Sequence, residues 1–203
     1  MPTIPTCQRC AVALLLMMVG CTPGEPLDAG TDAPLDAGID APRDAPVIGR
    51  DATADGEDRE LAGEDFECLL DWPMVRHFRI TNVLGHLDEA LAVANADAPG
   101  MRYPVGTIIQ VIPSEAMVKR GDGWSPATND WEFVALNVSA AGTTIRRRGG
   151  EEVESLVSGP CFGCHSAATA DWDYLCEDDH GCAPLPFDFE TIMTIQNADP
   201  RCP

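Results

Sequence analysis

Five consecutive residues carry the most chemistry in this chain: Cys161-Phe162-Gly163-Cys164-His165. The pattern C-x-x-C-H is the attachment signature of c-type haem. Two thiols three positions apart reach both vinyl groups on one edge of a porphyrin as thioethers. The adjacent imidazole supplies the proximal ligand to the iron. Gly159-Pro160 before the motif and Ser166-Ala167-Ala168 after it are small, so a flat cofactor can come close. The expectation is one covalent haem c on Cys161 and Cys164, with His165 as the proximal iron ligand. Two other uses stay open at this level. Cys161, Cys164, His180 and Cys182 could form a zinc site, since C-x-x-C is a common zinc half-site. The two thiols could also form a redox-active dithiol.

The remaining cysteines are read against that use. The 203 residues include nine cysteines, a number that points to an oxidising compartment, a metal or a covalent cofactor. Residues 1–10 carry one positive charge, Arg9, and no acid, and 11–19 is an unbroken apolar run. That run suits the core of a signal peptide and is too short to span a bilayer. Met18-Val19-Gly20-Cys21 resembles a bacterial lipobox, with Met18 where Leu is usual. A signal peptide over 1–20 and lipidation of Cys21 are therefore expected. The protein would sit in the bacterial cell envelope, as a periplasmic or outer-membrane lipoprotein held by its N-terminal lipid only. Each buried methylene of such an anchor contributes roughly 0.8 kcal/mol. Cys7 and Cys10 leave with the signal, and Cys68, Cys176, Cys182 and Cys202 remain. Four cysteines allow three pairings. The expected one joins Cys176 to Cys182 around a short loop and Cys68 to Cys202, tying the start of the domain to its end.

Charge narrows the function classes. Asp and Glu number 33 against 13 Lys and Arg, a formal charge of −20, and Lys119 is the only lysine. Phosphate binding needs clustered cations, so nucleic acid is excluded as a partner. No apolar stretch of about 18 residues exists, which excludes a polytopic membrane protein. Residues 22–65 hold 13 acids, three arginines and no aromatic residue, in recurring Asp-Ala-Gly and Asp-Ala-Pro units. Such a segment cannot bury enough apolar surface to offset its ordering entropy. Residues 21–65 therefore read as a lipidated cysteine and a disordered acidic tether, with a reach on the order of 35–40 Å. All the Trp, Tyr and Phe residues lie beyond position 65, so the folded domain is expected over 66–203.

The elements that must position the motif read as mainly β, with α+β as the alternative: an antiparallel sheet with a few short helices. Residues 105–112 and 131–138 are β-branched or apolar runs and read as strands, the second a central one. Residues 143–147 read as a short third strand, and 78–84 is another candidate. Residues 87–95 fit a helix by the spacing of Leu87, Ala90, Leu91 and Ala94, and a strand by the alternation of Leu91 and Val93. Gly121-Asp122-Gly123 and 126–130 carry turn chemistry.

Several short pieces then fall in a recognisable order. They are Tyr103-Pro104-Val105-Gly106-Thr107-Ile108-Ile109, Met117-Val118-Lys119-Arg120, Gly123-Trp124, Asp130-Trp131-Glu132-Phe133, the C-x-x-C-H motif, and Asp171-Trp172-Asp173-Tyr174. In order and spacing this resembles the cytochrome P-460 family and its relative cytochrome c-prime-beta, over roughly 76–174. The resemblance implies a mostly antiparallel β fold, often a homodimer, with one c-haem, a proximal histidine and an open distal face. One branch of that family oxidises hydroxylamine, and other members bind nitric oxide or carbon monoxide. Glu115, four residues before Lys119, matches the place of the enzymatic branch's distal carboxylate, which could accept protons from an amine-like substrate. The enzymatic branch also joins a lysine to the haem edge. The matching position here is Val111 and Lys119 matches another place, so no such cross-link is expected.

The other candidate iron ligands are His77, His86 and His180 and Met74, Met101, Met117 and Met193. Core filling accounts for the methionines and surface or turn positions for the histidines, so none is assigned. His180, beside Asp178 and Asp179, reads as exposed. Arg146-Arg147-Arg148 reads as a solvated strand end, with haem propionates or an acidic partner as the alternative. Three functions follow. The first is electron transfer with a donor or acceptor protein. The second is oxidation of a small nitrogen compound with Glu115 as proton acceptor. The third is binding of a nitrogen oxide or carbon monoxide.

Overall fold

The computed structural model describes residues 58–155 and 159–203. The expected signal peptide, the lipidation site Cys21 and the tether up to residue 57 lie outside the described residues. A six-stranded antiparallel sheet runs in sequence order: β1 Met74–Val75, β2 Phe78–Asn82, β3 Thr107–Gln110, β4 Glu115–Lys119, β5 Trp131–Ser139 and β6 Gly142–Gly149. A small ladder of β7 Glu154–Ser155 and β8 Gly159–Pro160 leads into helix α2, Cys161–His165. Helix α1, Leu87–Ala96, connects β2 to β3, and α3 is Phe189–Asn197. The architecture is mainly β and antiparallel with a few short helices, as expected.

Alternation along the strands sends side chains to two different layers. Trp131, Phe133 and Ala135 face one side with Phe78, Ile80, Ile109 and Met117, under Ala90 and Ala94 of α1 and under Val153 and Leu175. Val134 and Leu136 face the other side with Ile108, Ala116 and Val118, covered by Leu61, Phe66, Leu69 and Trp72. A strand buried on both faces reads as a continuous apolar run, which is why residues 131–138 stand out in the sequence. Residues 87–95 resolve as helix because Ala90 and Ala94 fill the close approach to the sheet.

Strand β3 is shorter than the 105–112 run. Gly106 turns the chain at φ +83°, and a Cβ there would meet the Leu84 side chain. At the other end the Gln110 amide donates to the carbonyls of Pro113 (3.1 Å) and Glu115 (3.0 Å), closing the turn into β4. Strand β4 had no sequence assignment, because its five residues carry Glu and Lys at the ends and only three apolar positions.

The packed part starts earlier than residue 66. Asp58 is buried and accepts from Arg120 Nε (3.0 Å) and the Gly121 amide (2.9 Å). Arg120 Nη1 also donates to Glu132 (2.9 Å), and Glu132 is shared with Arg148. Arg148 continues to Glu60 and to the Leu61 carbonyl. Acidic residues expected to belong to the tether are here the counter-ions of buried arginines. Arg148 likewise departs from the solvated strand end. Arg146 and Arg147 are exposed as expected.

The C-terminal segment is pinned at two places. Gln196 of α3 is fully buried and donates to the His77 and Val111 carbonyls (2.9 Å each), while its oxygen accepts from Arg79 (2.9 Å). Cys68 and Cys202 form a disulfide across 134 positions, the pairing expected from the cysteine count. Beside it, Asp199 accepts from the Leu69 amide (3.0 Å) and from Arg201 Nη2 (2.7 Å). Burial alone would raise the Asp199 carboxyl, but the Arg201 and backbone hydrogen bonds outweigh it and hold the group below its ordinary value. Its contribution is therefore present above the unfolded carboxylate range and is lost as pH falls through the folded value. Asp199→Asn should lower stability by about 2 kcal/mol at neutral pH. The gap to wild type should narrow below about pH 4, measured by urea unfolding at stepped pH.

Candidate functional site

The C-x-x-C-H motif forms the short helix α2, started by the Cys161 amide donating to the Val153 carbonyl at 2.8 Å. Residues three and four apart share a helix face, so Cys161, Cys164 and His165 are presented together. Cys161 is half-buried and Cys164 exposed, and both are thiols. Phe162 packs into the core against Tyr174 at 5.2 Å between ring centroids and against Phe133 at 6.3 Å. It anchors the helix to the core.

His165 is oriented by one bond. Its Nδ1 lies 2.8 Å from the Tyr174 carbonyl, and its ring stands 5.1 Å from Phe133. A carbonyl only accepts, so Nδ1 carries the proton and Nε2 keeps its lone pair. Burial lowers the imidazole below its ordinary value, against the opposing Tyr174 bond, and so keeps the ring neutral and able to ligate a metal.

The Tyr174 carbonyl is itself held by an unusual bend. Asp173 and Tyr174 both adopt left-handed φ, +49° and +55°, a conformation that a bulky residue like Tyr takes only when its surroundings impose it. The Asp173 carboxylate accepts from Lys119 Nζ (2.6 Å), from the Tyr103 amide (2.9 Å) and from Asn129. Trp131 Nε1 donates to the Asp173 carbonyl at 2.6 Å. Burial pushes the Lys119 ammonium below its ordinary value, against the pull of Asp173. The chain's one lysine is thus committed to the core. Val111 borders the same apolar cluster as Cys161, Phe162 and Tyr174.

Glu115 begins β4 on the same sheet face as Met117 and Phe133, opposite Ala135. Ser155 Oγ donates to its Oε2 at 3.2 Å. Burial first, and then the Glu115 charge, push the Cys161 thiol up to about 12. Glu115 is thus within electrostatic reach of Cys161. A thiol so raised is protonated at neutral pH and is a weak nucleophile.

A zinc site made of Cys161, Cys164, His180 and Cys182 does not survive. Cys182 is in a disulfide with Cys176, the second expected pair. His180 is buried rather than exposed, stacked on Trp172 at 3.8 Å, with Nδ1 at the Leu175 carbonyl and Nε2 at Asp97. Apolar stacking on Trp172 overrides the charge of its sequence neighbours. The Cys176–Cys182 disulfide lies against the end of α2, its sulfurs 3.5 and 3.7 Å from the Cys164 carbonyl. Of the other candidate ligands, Met117 is buried in the core shared with Phe162 and Tyr174. Met74 and Met101 are exposed, and His77, His86 and Met193 are half-buried.

The donor set fits a c-type haem: two thiols and a correctly protonated imidazole on one short helix. A cavity of about 580 Å³ exists elsewhere, between Arg76, His77 and residues 184–189, and is lined by none of the three. Sequence reasoning named Cys161, Cys164, His165 and Glu115, and missed Ser155 and the role of Asp173. Asp173 was visible only as part of the Asp171–Tyr174 motif.

Asp173→Ala leaves Lys119 buried without its counter-ion. It should cost about 3–5 kcal/mol in urea unfolding and release the His165 bond, read as a changed His165 ring resonance by NMR. No protein-family model, no curated protein and no solved structure matches this chain.

Proposed function

We propose that the chain is an exported, lipid-anchored bacterial cytochrome with one covalent haem c of P-460-like type, working in electron transfer with a donor or acceptor protein. The observation that carries the reading is the Nδ1–H bond of His165 to the Tyr174 carbonyl. It leaves Nε2 with its lone pair on the helix that carries both thiols. The motif order that resembles the cytochrome P-460 family supports the same reading.

When bound, the haem supplies a one-electron redox centre. Cys161 and Cys164 would hold it as thioethers and His165 would ligate the iron. The Tyr174 carbonyl fixes the imidazole's orientation and raises its basicity. Phe133 packs against the His165 ring and shields that side from water.

A second reading rests on Glu115. Its carboxylate acts on Cys161 and is held by Ser155, so a proton acceptor stands near the attachment site. That suits oxidation of hydroxylamine or another small nitrogen compound, or binding of nitric oxide or carbon monoxide at an open sixth position. Lys119 in its buried pair and Val111 at the matching position weigh against a cross-linked haem.

The test is an absorption spectrum of the full chain produced with haem-attachment machinery, ferric, ferrous, and ferrous with carbon monoxide. A haem c spectrum that persists after acid–acetone extraction is expected. The Cys161→Ala, Cys164→Ala double variant should lose all covalent haem. Absence of covalent haem in the wild type would overturn the proposal. A spectrum unchanged by gas supports electron transfer. A shift with gas supports the second reading, and Glu115→Gln should then alter its pH dependence.

A further inference from the structure

His180 sits between two groups that only accept. Its Nδ1 is 2.7 Å from the Leu175 carbonyl and its Nε2 is 3.1 Å from Asp97 Oδ1. A neutral imidazole has one N–H and cannot satisfy both. The carbonyl takes the proton at Nδ1, so a cation must stand between Nε2 and Asp97: a second proton or a metal ion. Asp97 alone would satisfy a proton. Yet a second carboxylate converges, Asp179 Oδ1 at 3.9 Å from the same nitrogen. The three ligand atoms all lie within 4.8 Å of one another. Ligands at about 2.0–2.2 Å around a tetrahedral ion stand roughly 3.3 Å apart, which this spacing brackets.

We propose that Asp97, Asp179 and His180 bind one divalent transition-metal ion, with zinc as the type case. One imidazole nitrogen with carboxylate oxygens suits zinc or copper rather than calcium or magnesium. The three residues are set by different parts of the fold. Asp97 is the left-handed cap of α1 at φ +46°. His180 is clamped by Trp172, its ring planes inclined by 16°. Asp179 is carried on the loop closed by Cys176–Cys182. Asp179 is exposed, which leaves an entry path and room for a water as fourth ligand. Arg76 competes, its Nη2 being 3.5 Å from Asp97 Oδ1. It has a shorter partner in Glu177 at 3.0 Å and keeps that partner when Asp97 turns to the ion. Glu177 and Asp178 add further negative charge on the same loop, against Arg76 and His77, whose Nδ1 is 3.5 Å from Glu177. The site shares no residue with the haem ligands and stands whether or not the haem reading does.

The experiment is zinc titration of the full chain by calorimetry after removal of metals with a chelator. Asp179→Asn and Asp97→Asn are titrated in parallel. The Asp179 side chain is exposed, so its variant keeps the fold. One equivalent should bind the wild type, with affinity falling at least about tenfold in either variant. Copper at one equivalent should give an electron paramagnetic resonance spectrum with one-nitrogen coupling that Asp179→Asn weakens. No zinc binding, or the same isotherm in wild type and both variants, would overturn the proposal. The first outcome leaves a proton at Nε2, and the second puts the metal on other carboxylates of the chain.

Discussion

Lys119 and Asp173 meet 2.6 Å apart with both side chains almost wholly buried. Two charges taken out of water cost several kcal/mol each, and their attraction offsets this only with good geometry and further hydrogen bonds. Both conditions hold. The Tyr103 amide and Asn129 add to the carboxylate, and the Asn129 carbonyl accepts from the ammonium at 2.7 Å. Lys119 also stands 5.0 Å over the Trp131 ring. The pair's main effect is positional. It joins the end of β4 to the segment after the C-x-x-C-H helix, and so fixes a two-residue left-handed bend that the backbone alone disfavours. That bend aims one carbonyl at His165. The protonation pattern of the imidazole thus depends on an ion pair reached through two residues of chain.

The two layers of the sheet do different work. One face carries the apolar cluster that α1, Phe162 and Tyr174 complete. The other is closed by residues 61–72 and bordered by the Asp58–Arg120–Glu132–Arg148 chain of charges. Two disulfides secure the two ends of this arrangement. One fastens the C-terminus to the first packed turn, and the other holds the 176–182 loop against the Cys164 carbonyl. A Cβ at Gly181 would come within 3.0 Å of the Ala167 carbonyl, a measure of how closely that loop sits on the residues after the motif.

Legibility in the sequence followed how local each cause is. Strand β5 is readable because burial on both faces leaves an unbroken apolar run. The C-x-x-C-H motif is readable because its chemistry lies within five residues, although its helix was not. The disulfide pairs followed from parity and from the shortness of one loop. Strand β4 was not readable, since Lys119 and Glu115 look solvated until their partners, 54 and 40 positions away, are known. The same holds for Asp58, Arg148 and His180. Each is polar among polar neighbours in sequence, yet is buried or half-buried by a distant arginine, a distant glutamate or an indole ring. Helix α3 had a local signal, Asp188 accepting from the Thr191 amide at 2.8 Å, but the proline-rich stretch before it hid the start.

The sheet does not close on itself, so β1 and β6 are its edges, and an edge strand is the usual template for strands of other molecules. The two edges are protected in different ways. Strand β1 is only two residues long, too short to seed a ladder. Strand β6 is long enough, but Arg146 and Arg147 project from it in charge, and its register with β5 shifts between Ala135 and Leu136. A second copy laid alongside would set arginine against arginine on a bent strand. Arg146 and Arg147, both exposed, thus act as a guard against edge-to-edge aggregation.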